Sequence, residues 1–338
     1  MIVVERQFLD YPSFPWGKDI CVDARSDELV ISTVVLAGEE NRKTARDPLR
    51  DYRRAVSSFG PQKREGKNSP HIQFANAGSD HELIRFVQRY GPVVVCALKT
   101  EKRAIHSDHP LDSGTSETLL IARQGLAELR NERQVYRSVL TLVSELARRK
   151  KSNILAIQRC IHEIAEKASN WPNQWQRERQ LRDQGHLPQP KWFFAQDNLR
   201  KLELYRYWAT RQRSDHPLSV AFGPPSDPIH LGHLVVCELV NAFSPTVYVW
   251  GDTPVEAPDT DLTGGIRPVL YHILRREYLR GSGIGICRNT HCRELFEIER
   301  DGQEFCGDVC SRHQRQREYW KKRGNKLRKR RLKIHKSA

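Results

Sequence analysis

Four cysteines near the C-terminal end, Cys287, Cys292, Cys306 and Cys310, constrain this chain more than any other feature. They read C-x4-C, thirteen intervening residues, then C-x3-C. Two close pairs separated by a short insertion is the pattern of a four-thiolate zinc site, in which each pair wraps one side of a tetrahedral ion. The insertion must bring the chain back so that the second pair faces the first. Leu295-Phe-Glu-Ile-Glu reads as a strand, and Asp301-Gly302 is a hairpin turn signal. Glu304-Phe305 reads as the returning strand that leads into Cys306. Beyond Cys310 the sequence turns helical, so the order is knuckle, hairpin, then a helix with the last ligands, a treble-clef-like arrangement. Four protein ligands leave no open coordination position, so one structural Zn2+ per chain is expected. His291 and His313 are close enough in sequence to be alternative ligands.

The segment beyond the last cysteine gives the zinc reading its functional weight. From Ser311 to Ala338 there are 13 Lys and Arg and one acidic residue, Glu318, which is +12 of the chain's net +15. The other 310 residues therefore carry only +3. Charge concentrated in this way points to a polyanionic partner rather than to general solubility. The expected nucleic-acid contacts are Arg312, Arg315, Arg317, Lys321, Lys322, Arg323, Lys326, Arg328, Lys329, Arg330, Arg331 and Lys333. At helical spacing Arg312, Arg315, Lys322 and Lys326 share one face. Gly324-Asn325 reads as a C-cap or kink. Tyr319 and Trp320 either anchor this helix to the body or stack on bases. The tail lacks an apolar face large enough to enter a membrane interface.

The segment Cys287-Arg-Asn-Thr-His-Cys-Arg-Glu-Leu-Phe, continued by Gly302-Gln-Glu-Phe-Cys306-Gly-Asp-Val-Cys310-Ser and Arg315-Gln-Arg317, resembles the bacterial CGNR-type zinc fingers. The resemblance covers residues 287–323. It implies a finger that closes a mostly helical protein and a DNA-binding regulatory role. This chain departs from the namesake Cys-Gly-Asn-Arg motif, because Ser311-Arg312-His313 follows its last cysteine.

At 338 residues the chain is long enough for two domains and an appendage. Its start lacks a basic stretch followed by an apolar one, so no signal peptide is expected. A cytosolic protein with reduced thiols is the corresponding expectation. Cys21, Cys96, Cys160 and Cys237 are scattered in apolar surroundings and read as inert core residues.

The expected fold is mainly α with a small α+β N-terminal part. A mixed region, 1–112, contains two strands, near 20–23 and 28–36, then an irregular basic stretch over 38–69 and a short helix over 81–89. A helical domain spans 113–283. Its clearest helix is expected over 116–150, capped by Ser116, with Leu119, Leu126, Leu129, Val135, Val139, Leu142, Val143 and Leu146 on one face. Further helices are expected over 153–168, from 173 toward 185, and over 191–210, 228–243 and 266–280. The zinc finger occupies 284–323 and the basic tail 324–338.

The leading functional expectation is a zinc-dependent DNA-binding regulator whose helical body senses a small ligand or pairs with a protein. An RNA-binding or ribonucleoprotein-associated factor is the alternative. A metal-dependent enzyme is the third reading, with His230-Leu-Gly-His233 beside Asp227 and Glu238 as its site. Leu231, Leu234, Val235 and Leu239 around these histidines instead read as core. Gly264-Gly265 is too little for a phosphate-binding loop, and no nucleophile motif is recognisable.

Overall fold

The computed structural model describes residues 21–25, 28–35, 69–93, 97–104, 116–148, 152–168, 201–202, 204–206, 227–243, 246–249, 255–258, 265–279, 283–298 and 302–336. The chain divides into two compact units, Met1–Ser282 and Gly283–Ala338. The described residues are mostly helical, with small antiparallel sheets.

The first unit begins with a four-stranded sheet. Strands β1 (Cys21–Arg25), β2 (Glu28–Val35), β3 (Ala97–Ala104) and β4 (Ser116–Gly125) lie in the order β1-β2-β4-β3, all antiparallel. Ile31 pairs with Ala122 and Leu29 with Gln124, and all four are buried, so they share one sheet face. On the other face Arg123 is exposed and reaches Glu28 at 3.3 Å. The sheet joins strands from both sides of residue 112, the position that separates the expected N-terminal region from the helical domain.

The helix expected from Ser116 begins ten residues later. Residues 116–125 form β4, and α3 runs from Leu126 to Ala147. The run Thr118-Leu-Leu-Ile-Ala fits a strand as well as a helix, and pairing with both β2 and β3 decides for the strand. At the junction the Gly125 N–H donates to the Glu128 carboxylate at 3.3 Å, which satisfies one of the orphan donors of the helix start. The apolar positions from Leu126 to Leu146 are buried as their spacing requires.

Around α3 pack α1 (Pro70–Asn76), α2 (Asp80–Tyr90), α4 (Ile154–Ala168), α5 (Pro228–Phe243) and α6 (Arg267–Leu279). Helix α2 opens with a reciprocal cap: Glu82 N–H donates to Ser79 Oγ, and Ser79 N–H donates to Glu82 Oε2. It closes at Gly91, whose φ of 90° suits glycine alone. Residues 201–202 and 204–206 are helical, within the helix expected over 191–210. The expected helix from 173 and most of the stretch over 38–69 lie outside the described residues. A short hairpin, β5 (Thr246–Val249) with β6 (Val255–Pro258), precedes α6.

Two glycines are explained by close approach. A Cβ on Gly232 would lie 3.0 Å from Leu146 Cδ2 and 3.2 Å from Leu142 Cδ1, so its absence lets α5 settle against α3. Gly265 has φ +59°, and a Cβ there would lie 2.3 Å from the Pro92 carbonyl oxygen. That carbonyl accepts the Ile266 N–H at 2.9 Å, so this glycine joins the end of α2 to the start of α6.

The cysteines outside the C-terminal cluster differ in placement. Cys160 is buried, as expected, and burial raises its thiol to about 12. Cys21 and Cys237 are exposed, contrary to expectation. Cys237 lies on α5 while Leu231, Val235, Val236 and Leu239 take the inner face, and Cys21 begins the edge strand. Cys96 lies outside the described residues. Among the described residues no helix is long and apolar enough to cross a membrane.

Candidate metal centre and basic helix

The second unit is built from a two-stranded hairpin and one long helix. Strand β7 (Ile284–Ile286) pairs antiparallel with β8 (Leu295–Glu297), Ile284 opposite Glu297 and Ile286 opposite Leu295. The partner of the expected Leu295 strand is therefore β7, not residues 304–305. Those residues approach through a single backbone bond, Arg288 N–H to the Glu304 carbonyl at 2.9 Å, supported by the Arg288–Glu304 ion pair. The Asp-Gly signal does mark a bend, because Gly302 has φ +77°. A small core of Ile284, Cys287, Leu295 and Phe296 seals the hairpin. Gly285 faces Phe296, whose ring occupies the space a side chain would need.

Between the strands the chain makes the knuckle that carries Cys287 and Cys292. The Cys287 N–H bonds to the Glu294 carbonyl at 2.8 Å, and the Cys292 N–H to the Asn289 carbonyl at 2.9 Å. Arg293 takes a left-handed φ of 54°, the local cost of so tight a turn. Asn289 is 3% exposed, and its side-chain oxygen accepts the His291 N–H at 3.2 Å. Cys306 and Cys310 flank the start of helix α7 (Asp308–Lys336), with Cys310 in its first turn.

All four sulfurs lie within 4.8 Å of one another. Cys306 Sγ is 3.6 Å from both Cys292 Sγ and Cys310 Sγ. A tetrahedral ion with metal–sulfur bonds of about 2.3 Å requires sulfurs about 3.8 Å apart, so these distances suit a bound metal. A structural disulfide needs sulfurs at about 2.05 Å, and all four cysteines are free. Among the described residues this is the single group of three or more His, Cys, Asp or Glu placed to share an ion. The alternative ligands His291 and His313 are exposed and outside it.

Without a cation the electrostatics keep most of these thiols protonated. Burial raises Cys292 to about 12, and burial together with the neighbouring sulfurs raises Cys306 higher still. Burial also opposes ionisation of Cys287, but the backbone N–H groups of Cys306 and Asn289 point at its sulfur and hold it below the ordinary thiol value. One thiolate is thus favoured without help, whereas four so close together need a positive ion at their centre. The N-terminus of α7 adds a favourable field at Cys306 and Cys310.

Helix α7 is 29 residues long, about 43 Å at 1.5 Å per residue. It runs without interruption through Gly324-Asn325, so the helix does not end at the expected C-cap. One exposed glycine costs a helix about 1 kcal/mol, which strong helix formers on both sides outweigh. Of the expected nucleic-acid contacts, Arg312, Arg315, Lys321, Lys322 and Arg323 are exposed. Lys326, Arg328, Lys329, Arg330, Arg331 and Lys333 belong to the same continuous helix.

Arg317 is placed differently. Its Nη1 donates to Asn289 Oδ1 at 3.0 Å and to Thr290 Oγ1 at 3.2 Å, so it ties α7 to the knuckle. Sequence reading missed Asn289 and Thr290. The available signal was an Asn two residues after the first ligand, where its side chain closes a turn on the backbone.

In the first unit, His230 is exposed and His233 Nδ1 shares a hydrogen bond with the Tyr278 hydroxyl. Burial, followed by the neighbouring His230, lowers the His233 imidazole. Gly232 serves helix packing, and His233 bonds α5 to α6, while His230 stays exposed. A buried pair of opposite charges lies elsewhere in this unit: Glu132 and Arg267 are 1% and 8% exposed and approach at 3.6 Å.

Comparison with known proteins gives no matching family model, no matching curated protein and no matching solved structure.

Proposed function

We propose that this is a zinc-dependent nucleic-acid-binding protein in which a four-cysteine finger orients helix α7 as the contact element. The observation that carries the reading is one of continuity. The helix that holds Cys310 in its first turn is the same helix that carries the basic residues out to Lys336. Metal binding and presentation of charge are thus properties of one rigid element. Zinc is favoured among thiolate-seeking ions because a closed S4 set suits its tetrahedral preference and asks for no redox chemistry.

DNA is the first reading of the partner. Arg and Lys along the helix neutralise its phosphates. The resemblance to CGNR-type fingers points the same way and adds a regulatory role, with the helical unit as sensor or partner-binding body. RNA is a second reading, favoured by the exposure of Tyr319 and Trp320, because RNA recognition relies on stacking of unpaired bases.

The test is binding of labelled nucleic acid by the full zinc-loaded chain, by a chain lacking 311–338, and by an Arg312→Gln, Arg315→Gln, Lys322→Gln triple variant. Both altered forms should lose affinity, the triple variant with its zinc content intact. Retained affinity in both would move the contact surface off α7.

A further inference from the structure

Among the described residues, Tyr319 and Trp320 stand out as exposed large aromatics. Tyr319 is 57% exposed and Trp320 55% exposed, whereas Tyr90, Tyr136, Tyr271, Phe74 and Phe243 are each below 2%. The two rings meet edge to face, with centroids 5.6 Å apart, and the Arg323 guanidinium lies 5.5 Å from the Trp320 ring centre. This is a small preorganised aromatic and cationic cluster.

The two rings sit differently on the helix relative to the knuckle. Arg317 faces the knuckle, and Tyr319, two residues on at about 100° per residue, points about 160° away from it. Arg312, Arg315, Lys322 and Arg323 fall within about 60° of Tyr319 and are exposed. The single acidic side chain nearby, Glu318, accepts a hydrogen bond from Gln314 Nε2 at 3.1 Å. Tyr319 therefore lies within a cationic stripe on the side of the helix turned away from the cysteine cluster, and Trp320, about 100° round from it and about 60° from Arg317, borders that stripe beside the Arg323 guanidinium.

We infer that Tyr319 and Trp320 form a stacking site for unpaired bases, with the flanking arginines and lysine holding the phosphates of the same strand. This rests on the reading of α7 as a nucleic-acid contact and narrows its ligand to single-stranded segments of DNA or RNA. In a duplex the base faces are already stacked, and only base edges are offered in the grooves. A single strand offers faces, which aromatic rings bind with little regard to sequence, while cations track the backbone.

The experiment measures affinities of the full zinc-loaded chain for a single-stranded DNA, the matching RNA and the matching duplex at one salt concentration. It is repeated for Tyr319→Ala, Trp320→Ala and Trp320→Phe, each checked for zinc content. Single strands should bind more tightly than the duplex. Each alanine variant should lose about ten-fold on single strands, the effect of one lost base stack, with little change on the duplex. Trp320→Phe should retain most of the affinity, since a stacking face remains. Equal losses on single strands and duplex, or no loss at all, would overturn the stacking site while leaving a phosphate-binding helix in place. Failure of the unaltered chain to bind any of the three would remove both readings.

Discussion

The Arg317 guanidinium sits 3.0 Å from Asn289 Oδ1, so a residue two turns into α7 is fastened to the turn that positions Cys287 and Cys292. The knuckle and α7 thus meet at two places, the four-cysteine cluster and this polar link. Removing the link should loosen the metal site without touching a ligand. Arg317→Ala is expected to lower metal affinity by roughly 10-fold, the lower end of what lost outer-shell partners cost. Arg317→Lys should recover only part of it, because a single ammonium does not reproduce the paired donors of a guanidinium. Competition against a chromophoric chelator measures both.

Metal removal should be selective. The second unit has only a small apolar core of Ile284, Leu295 and Phe296 around buried Cys287, whereas the first has its own interior around α3. Chelation of the full chain, or Cys306→Ser, should therefore cost the fold of residues 283–336 and leave the first unit standing. Circular dichroism should show a partial loss of helix, and thermal unfolding of the remainder should be unchanged. Unaltered metal content in Cys306→Ser would defeat the four-thiolate assignment.

The four-cysteine cluster was legible in the sequence because residues that could share an ion must keep a fixed spacing. The hairpin that supports them was not. Ile284-Gly-Ile is too short for a periodicity to register, and Asp301-Gly302 drew the partner of Leu295 to the wrong side. The start of α3 was misplaced for a related reason. Leu119 satisfies a helical pattern and a strand pattern equally, and only its pairing with Val34 and Glu101 distinguishes them. The role of Arg317 was hidden because a tail rich in arginine gives no sign of which one turns inward. Long, strongly periodic helices such as α4 and α5 were read to within a residue or two.

Glu132 and Arg267 form a buried pair of opposite charges, with side chains 2% and 10% exposed. Glu132→Gln should strand the guanidinium inside the first unit and destabilise it by about 3–5 kcal/mol. Replacing both residues by apolar ones of similar volume, Glu132→Leu with Arg267→Met, should cost far less. Urea denaturation of the two variants separates these outcomes. Equal losses in both would assign the effect to packing rather than to an unpaired charge.

His71 gives the first unit a predictable acid sensitivity. It is fully buried, and burial holds its imidazole down at about 3, against 6.5 when free. The folded chain therefore keeps the ring neutral, while the unfolded chain takes up a proton below about 6.5. The stability linked to this group is complete above that pH and is lost as pH falls toward about 3, at up to about 1.4 kcal/mol per pH unit. Urea denaturation at about pH 7.5 and about pH 5 should show a smaller pH dependence in His71→Gln than in the unaltered chain.

The central claim is that the metal-held α7 binds nucleic acid through its charge, and its salt dependence is the most direct measurement. Affinity of the full zinc-loaded chain for a labelled DNA should fall linearly in log–log form as salt rises. With six or more phosphates neutralised, it should drop by roughly 1,000-fold or more between about 50 and about 200 mM. The same chain stripped of metal should bind far more weakly at every salt concentration. Affinity that is flat with salt, or unchanged by metal removal, would contradict it.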